Sequence, residues 1–196
     1  MTAATTTPSR GEPRTRLLDV AEELFYEQGF AAVGMQTVRD VSGVPLKRIY
    51  ALYESKEQLA VAMLDRRDDA WHDALAQAVA RHEDPGDRLV AVFSWLAAWL
   101  SGEGHRGCAW INAHGELGAT SADIEAAVRR HKDRFRGVLD SLAQEAGLPP
   151  STAEMLYLLA EGAMVTTGIT GQASAAVSAR DWVDQLVAES ITRPPT

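Results

Sequence analysis

Apolar residues recur at spacings of three and four along most of this chain, and this period limits the fold more than any other feature. No segment shows a sustained alternation of apolar and polar residues, so the sequence gives no support for strands. Glycine and proline interrupt the pattern where helices typically end. We therefore expect an all-α fold of about nine helices, with no internal repeat.

Composition excludes several classes of protein. Hydrophobic residues make up 46% of the 196 residues, which is enough to bury a core and excludes wholesale disorder. The single cysteine, Cys108, excludes an intrachain disulfide framework. The N-terminal residues lack the apolar segment of a secretory signal. The uncharged stretches Leu89–Gly102 and Gly162–Ala179 are too short or too polar to span a membrane, so we expect a cytoplasmic protein.

Charge is distributed unevenly along the chain. The net charge of −8 argues against non-specific coating of nucleic acid, but it leaves room for a local basic face. The segment Gln36–Lys56 contains four basic and two acidic residues, a local balance of 4 − 2 = +2. This early segment is therefore the candidate for contact with DNA.

The first third of the chain predicts a three-helix unit. We expect residues 1–13 to form a disordered arm, and Thr15 to be the N-cap of a helix that ends at Gly29. Two short helices are expected at Met35–Ser42 and Pro45–Tyr53, separated by a turn at Gly43.

The remaining helices belong to a larger second unit. Ser55 and Gln58 match a capping box, from which a helix is expected to run towards His82. Five further helices follow in the pattern, at Leu89–Leu100, Cys108–Leu117, Ala122–Ala146, Ser151–Ile169 and Ala179–Ile191. We therefore divide the chain into a smaller domain at residues 14–56 and a larger domain at residues 57–193.

The segment from Gly29 to Leu59 resembles the DNA-binding module of TetR-type transcriptional regulators. The residues that carry the resemblance are Gly29-Phe30, Gly43-Val44 at the bend, Tyr50, Tyr53, Ser55-Lys56-Glu57 and Leu59. The resemblance covers about 45 residues, at several fixed spacings. It implies a homodimeric helix-turn-helix protein, with residues 14–56 as the domain that binds operator DNA and residues 57–193 as the domain for ligand binding and dimerisation.

A recognition helix presents its N-terminal residues to base edges in the major groove, while flanking groups bind phosphate. The residues expected to contact DNA are Gln36, Leu46, Lys47, Arg48, Tyr50, Tyr53 and Lys56. Lys47 and Arg48 stand where the family has small residues, which implies an altered base preference. The alternative is that these two are only solvated and that Tyr50 is a core residue. Arginines at positions 10, 14 and 16 either enter a minor groove or belong to a disordered arm.

Aromatic residues and methionines near polar groups indicate a site for an aromatic or planar effector. The expected lining residues are Phe93, Trp95, Trp99, Trp110, Asn112, His114, Met155 and Met164, with Glu116, Tyr157 and Thr166 as further candidates. The alternative for each is a place in the core.

By resemblance, the last two helices form the interface of the homodimer. Gly162, Ala163 and Gly168 would allow close approach of helices, and Trp182, Val183, Leu186 and Val187 form an apolar stripe. The alternative is that the same residues form an intrachain core.

Nothing in the sequence predicts catalysis. The P-loop, dinucleotide-binding and hydrolase motifs are absent, and His105, Cys108, His114 and Glu116 do not match a zinc spacing. We therefore expect no cofactor, no metal site and no enzymatic activity. Cys108 is either a buried inert thiol or, if its pKa is lowered, a reactive one.

The sequence thus predicts a ligand-responsive, homodimeric repressor that a small molecule releases from a palindromic operator. The alternative is a helical small-molecule-binding or catalytic protein that keeps the fold without binding DNA.

Overall fold

A computed structural model describes residues 12–192, with side chains up to Glu189. Within that range the chain forms helices and no strand, so the all-α prediction is confirmed. The helices are α1 (Pro13–Gln28), α2 (Met35–Ser42), α3 (Leu46–Leu52), α4 (Lys56–Val79), α5 (Pro85–Leu100), α6 (Ala109–Ala113), α7 (Ala122–Glu145), α8 (Pro150–Thr170) and α9 (Ser174–Thr192). A π-helical turn at His114–Gly118 follows α6 directly.

Several predicted helix ends differ from the observed ones. Helix α1 begins at Pro13 and not after Thr15, because proline fits the first helical position. Most of the expected arm, residues 1–11 with Arg10, lies outside the described residues. Helix α5 begins at Pro85, where Asp84 accepts hydrogen bonds from the backbone N–H groups of Gly86 and Asp87. Helix α9 begins five residues before the expected start at Ala179.

The first three helices and the start of α4 form the N-terminal unit. One face of α1 is buried through Leu17, Ala21, Leu24 and Phe25. The Ser55 hydroxyl accepts a hydrogen bond from the N–H of Gln58 at 3.2 Å, which fixes the start of α4 as the capping pattern predicts. Helix α4 then leaves this unit and becomes part of the larger C-terminal core.

The C-terminal region packs α4, α5, α7, α8 and α9 around one continuous apolar core. Helix α5 lies against α9, and Gly86 is needed at this crossing because a Cβ there would lie 2.5 Å from Cγ1 of Val187. Among the described residues, no helix combines the length and the apolar character needed to cross a membrane.

A cluster of charged and aromatic groups joins α4 to α7. Asp68 of α4 accepts a hydrogen bond from Nδ1 of His131 at 2.6 Å and another from Nη1 of Arg134 at 2.8 Å. One turn along α4, the Trp71 ring meets the His131 ring edge to face, with centroids 5.2 Å apart. The opposite charges of this cluster therefore lie inside an aromatic environment.

The pKa values of this cluster favour its charged form. Burial alone would raise the pKa of Asp68, but the contacts with His131, His72 and Arg134 outweigh it and hold the pKa far below its usual range. Burial alone would lower the pKa of His131, but the hydrogen bond to Asp68 raises it above its ordinary value. Folding therefore favours the charged forms of Asp68 and His131, which form an ion pair.

We predict that Asp68→Asn lowers the free energy of unfolding at neutral pH by about 3 kcal/mol, since it leaves the buried imidazolium of His131 without its counterion. Chemical denaturation followed by circular dichroism measures the change. Asp69→Asn is the matched control. Its side chain contacts the same Arg134 at 3.3 Å but is 80% exposed, so the expected change is below about 0.5 kcal/mol. Equal effects of the two substitutions would contradict the buried ion pair.

The same cluster predicts a pH dependence. Because the pKa of His131 is raised on folding, its contribution to stability is complete below its ordinary value of 6.5 and is lost as the pH rises through the raised value. Asp68→Asn should flatten this loss in the same denaturation experiments.

Candidate DNA interface and effector cleft

The helix-turn-helix consists of α2, a three-residue turn and α3. Gly43 ends α2 in the left-handed region, with φ at 67°, which a residue with a Cβ adopts only with strain. The N–H of Val44 donates to the Ser42 hydroxyl at 3.2 Å, and both side chains are buried. Pro45 is the N-cap residue of α3, so this helix begins at Leu46, one residue after the predicted start at Pro45. The turn therefore fixes the direction of α3.

The start of α3 presents three long side chains to solvent. Lys47 and Arg48 are exposed, and Tyr50 is 46% exposed and so is not a core residue. Gln36 is exposed at the start of α2. Leu46 is half-buried and packs against the core. The geometry therefore leaves Gln36, Lys47, Arg48 and Tyr50 free to meet a DNA surface.

Two residues expected at the DNA have structural contacts. Tyr53 is buried, and its hydroxyl accepts a hydrogen bond from Nε of Arg14 at 3.2 Å. Lys56 donates to the backbone carbonyl of Phe30 at 2.9 Å and holds the loop before α2. Tyr53 therefore belongs to the core of the N-terminal unit, and Arg14 is bound to it as a residue of α1.

A cleft of about 400 Å³ lies between α1, α4 and α5. Its aromatic walls are Trp71, Trp95 and Trp99. The Trp71 and Trp95 rings meet edge to face with centroids 4.8 Å apart, and Trp95 and Trp99 are nearly parallel at 6.1 Å. Glu22 and Arg67 line the same cleft and are joined by an ion pair of 2.6 Å. These walls suit a planar aromatic ligand.

Of the eight residues proposed for the effector site, only Trp95 and Trp99 line this cleft. Phe93, Trp110 and Met164 are buried in the core, where the Trp110 ring stacks on His131 at 3.5 Å. The others have different contacts or none: Asn112 donates to the carbonyl of Arg106, His114 contacts Glu125, and Met155 is exposed on α8. Those six expectations therefore do not describe one site.

Trp71, Arg67 and Glu22 are the cleft residues that the sequence pattern does not reveal. They lie in α1 and α4, far along the chain from the tryptophan-rich segment. The amphipathic period of α4 indicates an inward face, but it gives no sign that a cleft opens beside that face.

An apolar stripe lies exposed on α8. Its members are Met155, Leu158, Gly162, Val165 and Ile169, and Ile169 is 80% exposed. Their spacing of three, four, three and four residues is that of a helix which packs against another helix. Trp182 of α9 is also exposed, at 46%.

The other residues proposed for the dimer interface point elsewhere. Ala163 is buried in the core of its own chain, and Leu186 is half-buried against it. Val183 and Val187 are core residues as well. Gly168 is required within the chain, since a Cβ there would lie 2.9 Å from the carbonyl oxygen of Arg106.

In addition to the continuous helix α4, side-chain contacts of Tyr26, Glu116 and Glu22 join the N-terminal unit to the C-terminal region. The Tyr26 hydroxyl donates to the carbonyl of Gly107 at 2.9 Å. The N–H of Ala31 donates to Oε2 of Glu116, in the π-helical turn, at 2.7 Å. The third contact is the Glu22–Arg67 ion pair in the cleft. Glu116 thus contacts the N-terminal unit.

Asp68, His72 and His131 bring three potential metal-ligating atoms within 4.8 Å of one another. The sequence spacing does not reveal this group, because 63 residues separate Asp68 from His131. The guanidinium of Arg134 bound to the same carboxylate opposes a further cation there. We therefore interpret the group as the buried ion pair described above.

The geometry is that of a helix-turn-helix protein with a separate helical region that offers a ligand cleft. Residues 17–63 match the family model for bacterial regulatory proteins of the tetR family. The N-terminal unit is therefore similar to that of TetR-type transcriptional regulators.

Individual relatives agree with this assignment. The chain is 27% identical over 173 residues to the HTH-type transcriptional repressor NemR of Escherichia coli (strain K12), covering 81% of this chain and 85% of NemR. It is 28% identical over 149 residues to the HTH-type transcriptional activator FasR of Mycolicibacterium smegmatis, covering 75% and 66%. The crystal structure of SCO4454, a TetR-family transcriptional regulator from Streptomyces coelicolor, has the same fold, with a TM-score of 0.84, 23% identity and coverage of 91% and 95%.

Proposed function

We propose that the protein is a homodimeric repressor that binds a palindromic operator and releases it when a planar aromatic effector occupies the cleft between α1, α4 and α5. The observation that carries the proposal is the exposure of Lys47, Arg48 and Tyr50 at the start of a helix whose direction the Gly43 turn fixes. NemR is named a repressor and FasR an activator, and the proposal takes the sign of NemR. A protein with this role works in the cytoplasm, where the DNA lies.

We predict that the protein binds one palindrome in the intergenic DNA beside its own gene far more tightly than random duplex. Lys47→Ala or Arg48→Ala should weaken this binding about tenfold and relax the base preference, since one base contact is worth about 1–3 kcal/mol. Fluorescence anisotropy at two salt concentrations measures both effects.

Arg129→Ala is the control, because it also removes an exposed positive charge. Arg129 lies in α7, far along the chain from α3, and pairs with Glu125 of the same helix. This substitution should leave operator affinity unchanged. A wild-type protein that prefers no duplex at either salt concentration would favour the alternative of a ligand-binding protein without a DNA role. A reporter gene behind the bound promoter gives the sign, and higher expression with the protein present would exclude repression.

The exposed stripe on α8 supports dimerisation, since one helix-turn-helix reads only half of a palindrome. We predict that Ile169→Glu raises the dimer dissociation constant at least about tenfold, because a charge enters an apolar contact. Sedimentation velocity measures the change. Val41→Glu places the same charge on a 49% exposed valine of α2 and should leave the dimer intact. A wild-type monomer at micromolar concentration would exclude this interface.

The tryptophan-lined cleft leads to a third prediction. The probe is anilinonaphthalene sulfonate, a dye whose fluorescence rises in apolar clefts. Trp95→Ala should weaken dye binding about fivefold or more, since it removes a half-buried aromatic wall. Val90→Ala is the control, since Val90 lines a neighbouring groove that shares Trp95 but not Trp71 or Trp99. A larger loss in Val90→Ala would assign the dye to that groove.

A further inference from the structure

Cys108 has no part in the proposed function, yet it has charged neighbours. The residue is 2% exposed and lies beside α7 and α8. Its Sγ accepts a hydrogen bond from Nζ of Lys132 at 3.4 Å. The same ammonium group binds both carboxylate oxygens of Glu161, at 2.7 and 2.8 Å. A buried thiol in contact with a fixed cation differs from an inert core cysteine, which lies among apolar groups.

His131 is a second and independent feature of this site. Its Nδ1 is held by Asp68, and its ring, 1% exposed, lies next to the thiol. Its other nitrogen, Nε2, is buried and has no hydrogen-bond partner among the described residues. Asp68, His131 and Cys108 thus form a series of orienting carboxylate, imidazolium and thiol, in which the cationic ring favours the thiolate.

The charges around Cys108 favour the thiolate. Burial alone would raise the pKa of the thiol, but the Lys132 ammonium and the contact with His131 lower it to about 7. Glu161 acts in the opposite direction and raises it. A substantial fraction of the protein therefore carries the thiolate, the reactive form, at neutral pH.

The backbone before Cys108 has no spare room. On one side, the Tyr26 hydroxyl of α1 donates to the Gly107 carbonyl and accepts from the N–H of Arg106 at 3.1 Å. On the other side, a Cβ on Gly107 would lie 2.8 Å from the carbonyl oxygen of Met164 on α8. An atom added to the buried Sγ must therefore displace a segment that contacts both α1 and α8.

We propose that Cys108 is an oxidation site for small hydroperoxides, with hydrogen peroxide as the smallest. Its oxidation shifts the segment Arg106–Cys108 and, through Tyr26, the position of α1. The regulatory meaning of this shift rests on the proposed function, whereas the oxidation itself does not.

The chemistry balances within the site. The thiolate sulfur attacks one oxygen of the peroxide, so that an S–O bond forms and the O–O bond breaks. The leaving hydroxide takes a proton from the Lys132 ammonium and departs as water, and solvent restores the proton. The product is a sulfenic acid. Because Cys108 is the single cysteine, no intrachain disulfide follows, and two molecules of a small thiol reduce the product through a mixed disulfide.

The test treats the full-length protein with hydrogen peroxide and follows its intact mass. We expect addition of one oxygen atom, located at Cys108 by peptide mapping, reversed by dithiothreitol and absent in Cys108→Ser. The rate should rise with pH around a midpoint of about 7. A folded wild-type protein that reacts no faster than the unfolded chain at neutral pH would overturn the proposal.

Two variants separate activation from mere burial. Lys132→Met should raise the pH midpoint and slow oxidation at neutral pH about fivefold or more, since a rise of one unit from a pKa of about 7 lowers the thiolate fraction at pH 7 from about one half to about one tenth. Glu161→Gln should lower the midpoint and speed oxidation below neutral pH. A purely structural role would move both variants in the same direction. Arg81→Met is the control. It removes a charge from the groove that Val90 lines, and its oxidation rate and pH midpoint should match those of the wild type.

Hydrogen–deuterium exchange tests the displacement without any DNA. Oxidation should increase exchange at residues 101–110 and around Tyr26 in α1, and dithiothreitol should reverse the change. Unchanged exchange in the oxidised protein would exclude the shift, while failure of the operator experiments alone would leave this result intact.

Discussion

The edge-to-face packing of Trp71 with rings on α5 and α7 is the interaction on which the C-terminal region depends. Its centroid lies 5.2 Å from His131 and from Phe135 on α7, and 4.8 Å from Trp95 on α5. One turn earlier, Asp68 holds His131 and Arg134 of α7. Helix α4 is thereby fixed between two helices by aromatic contacts and a buried ion pair. Because α4 begins in the DNA-binding unit, any change in this packing reaches the helix-turn-helix directly.

The coupling between effector and DNA needs only a modest free energy. The cleft includes the Glu22–Arg67 ion pair, which also links α1 to α4, and Trp71 forms one of its walls. A ligand that fits the cleft better in one arrangement of α1 and α4 shifts the population towards that arrangement. When that arrangement binds the operator less well, the ligand lowers operator affinity by the same factor by which bound operator lowers ligand affinity. A ligand that fits both arrangements equally changes nothing. In the proposed function, the side chains that hold α1 therefore couple the cleft to the DNA-binding surface.

The parts of the fold that local chemistry determines could be predicted from the sequence. The bounds of α2 and the cap at Ser55 follow from residues within one turn of each other. The Asp68–His131 cluster could not be predicted, since its members meet only after α4 packs on α7. The buried face of an apolar helix could not be predicted from the sequence either. Gly162 is exposed and Ala163 is buried, but an apolar α8 gives its inward face no distinct composition.

Helix α8 contributes residues both to the Cys108 cluster and to the exposed apolar stripe. Glu161 faces the Cys108 cluster, and Gly162, the next residue, lies in the exposed stripe, so a rotation of α8 that relieves one contact changes the other. The backbone of the same helix lies against Gly107 without space for a Cβ. Close-packed helices respond to an added atom by shifting as units and not by local compression. Under the proposed oxidation and the proposed dimer, a modification at the thiol therefore alters both the stripe on α8 and the position of α1, and so the spacing of the two recognition helices.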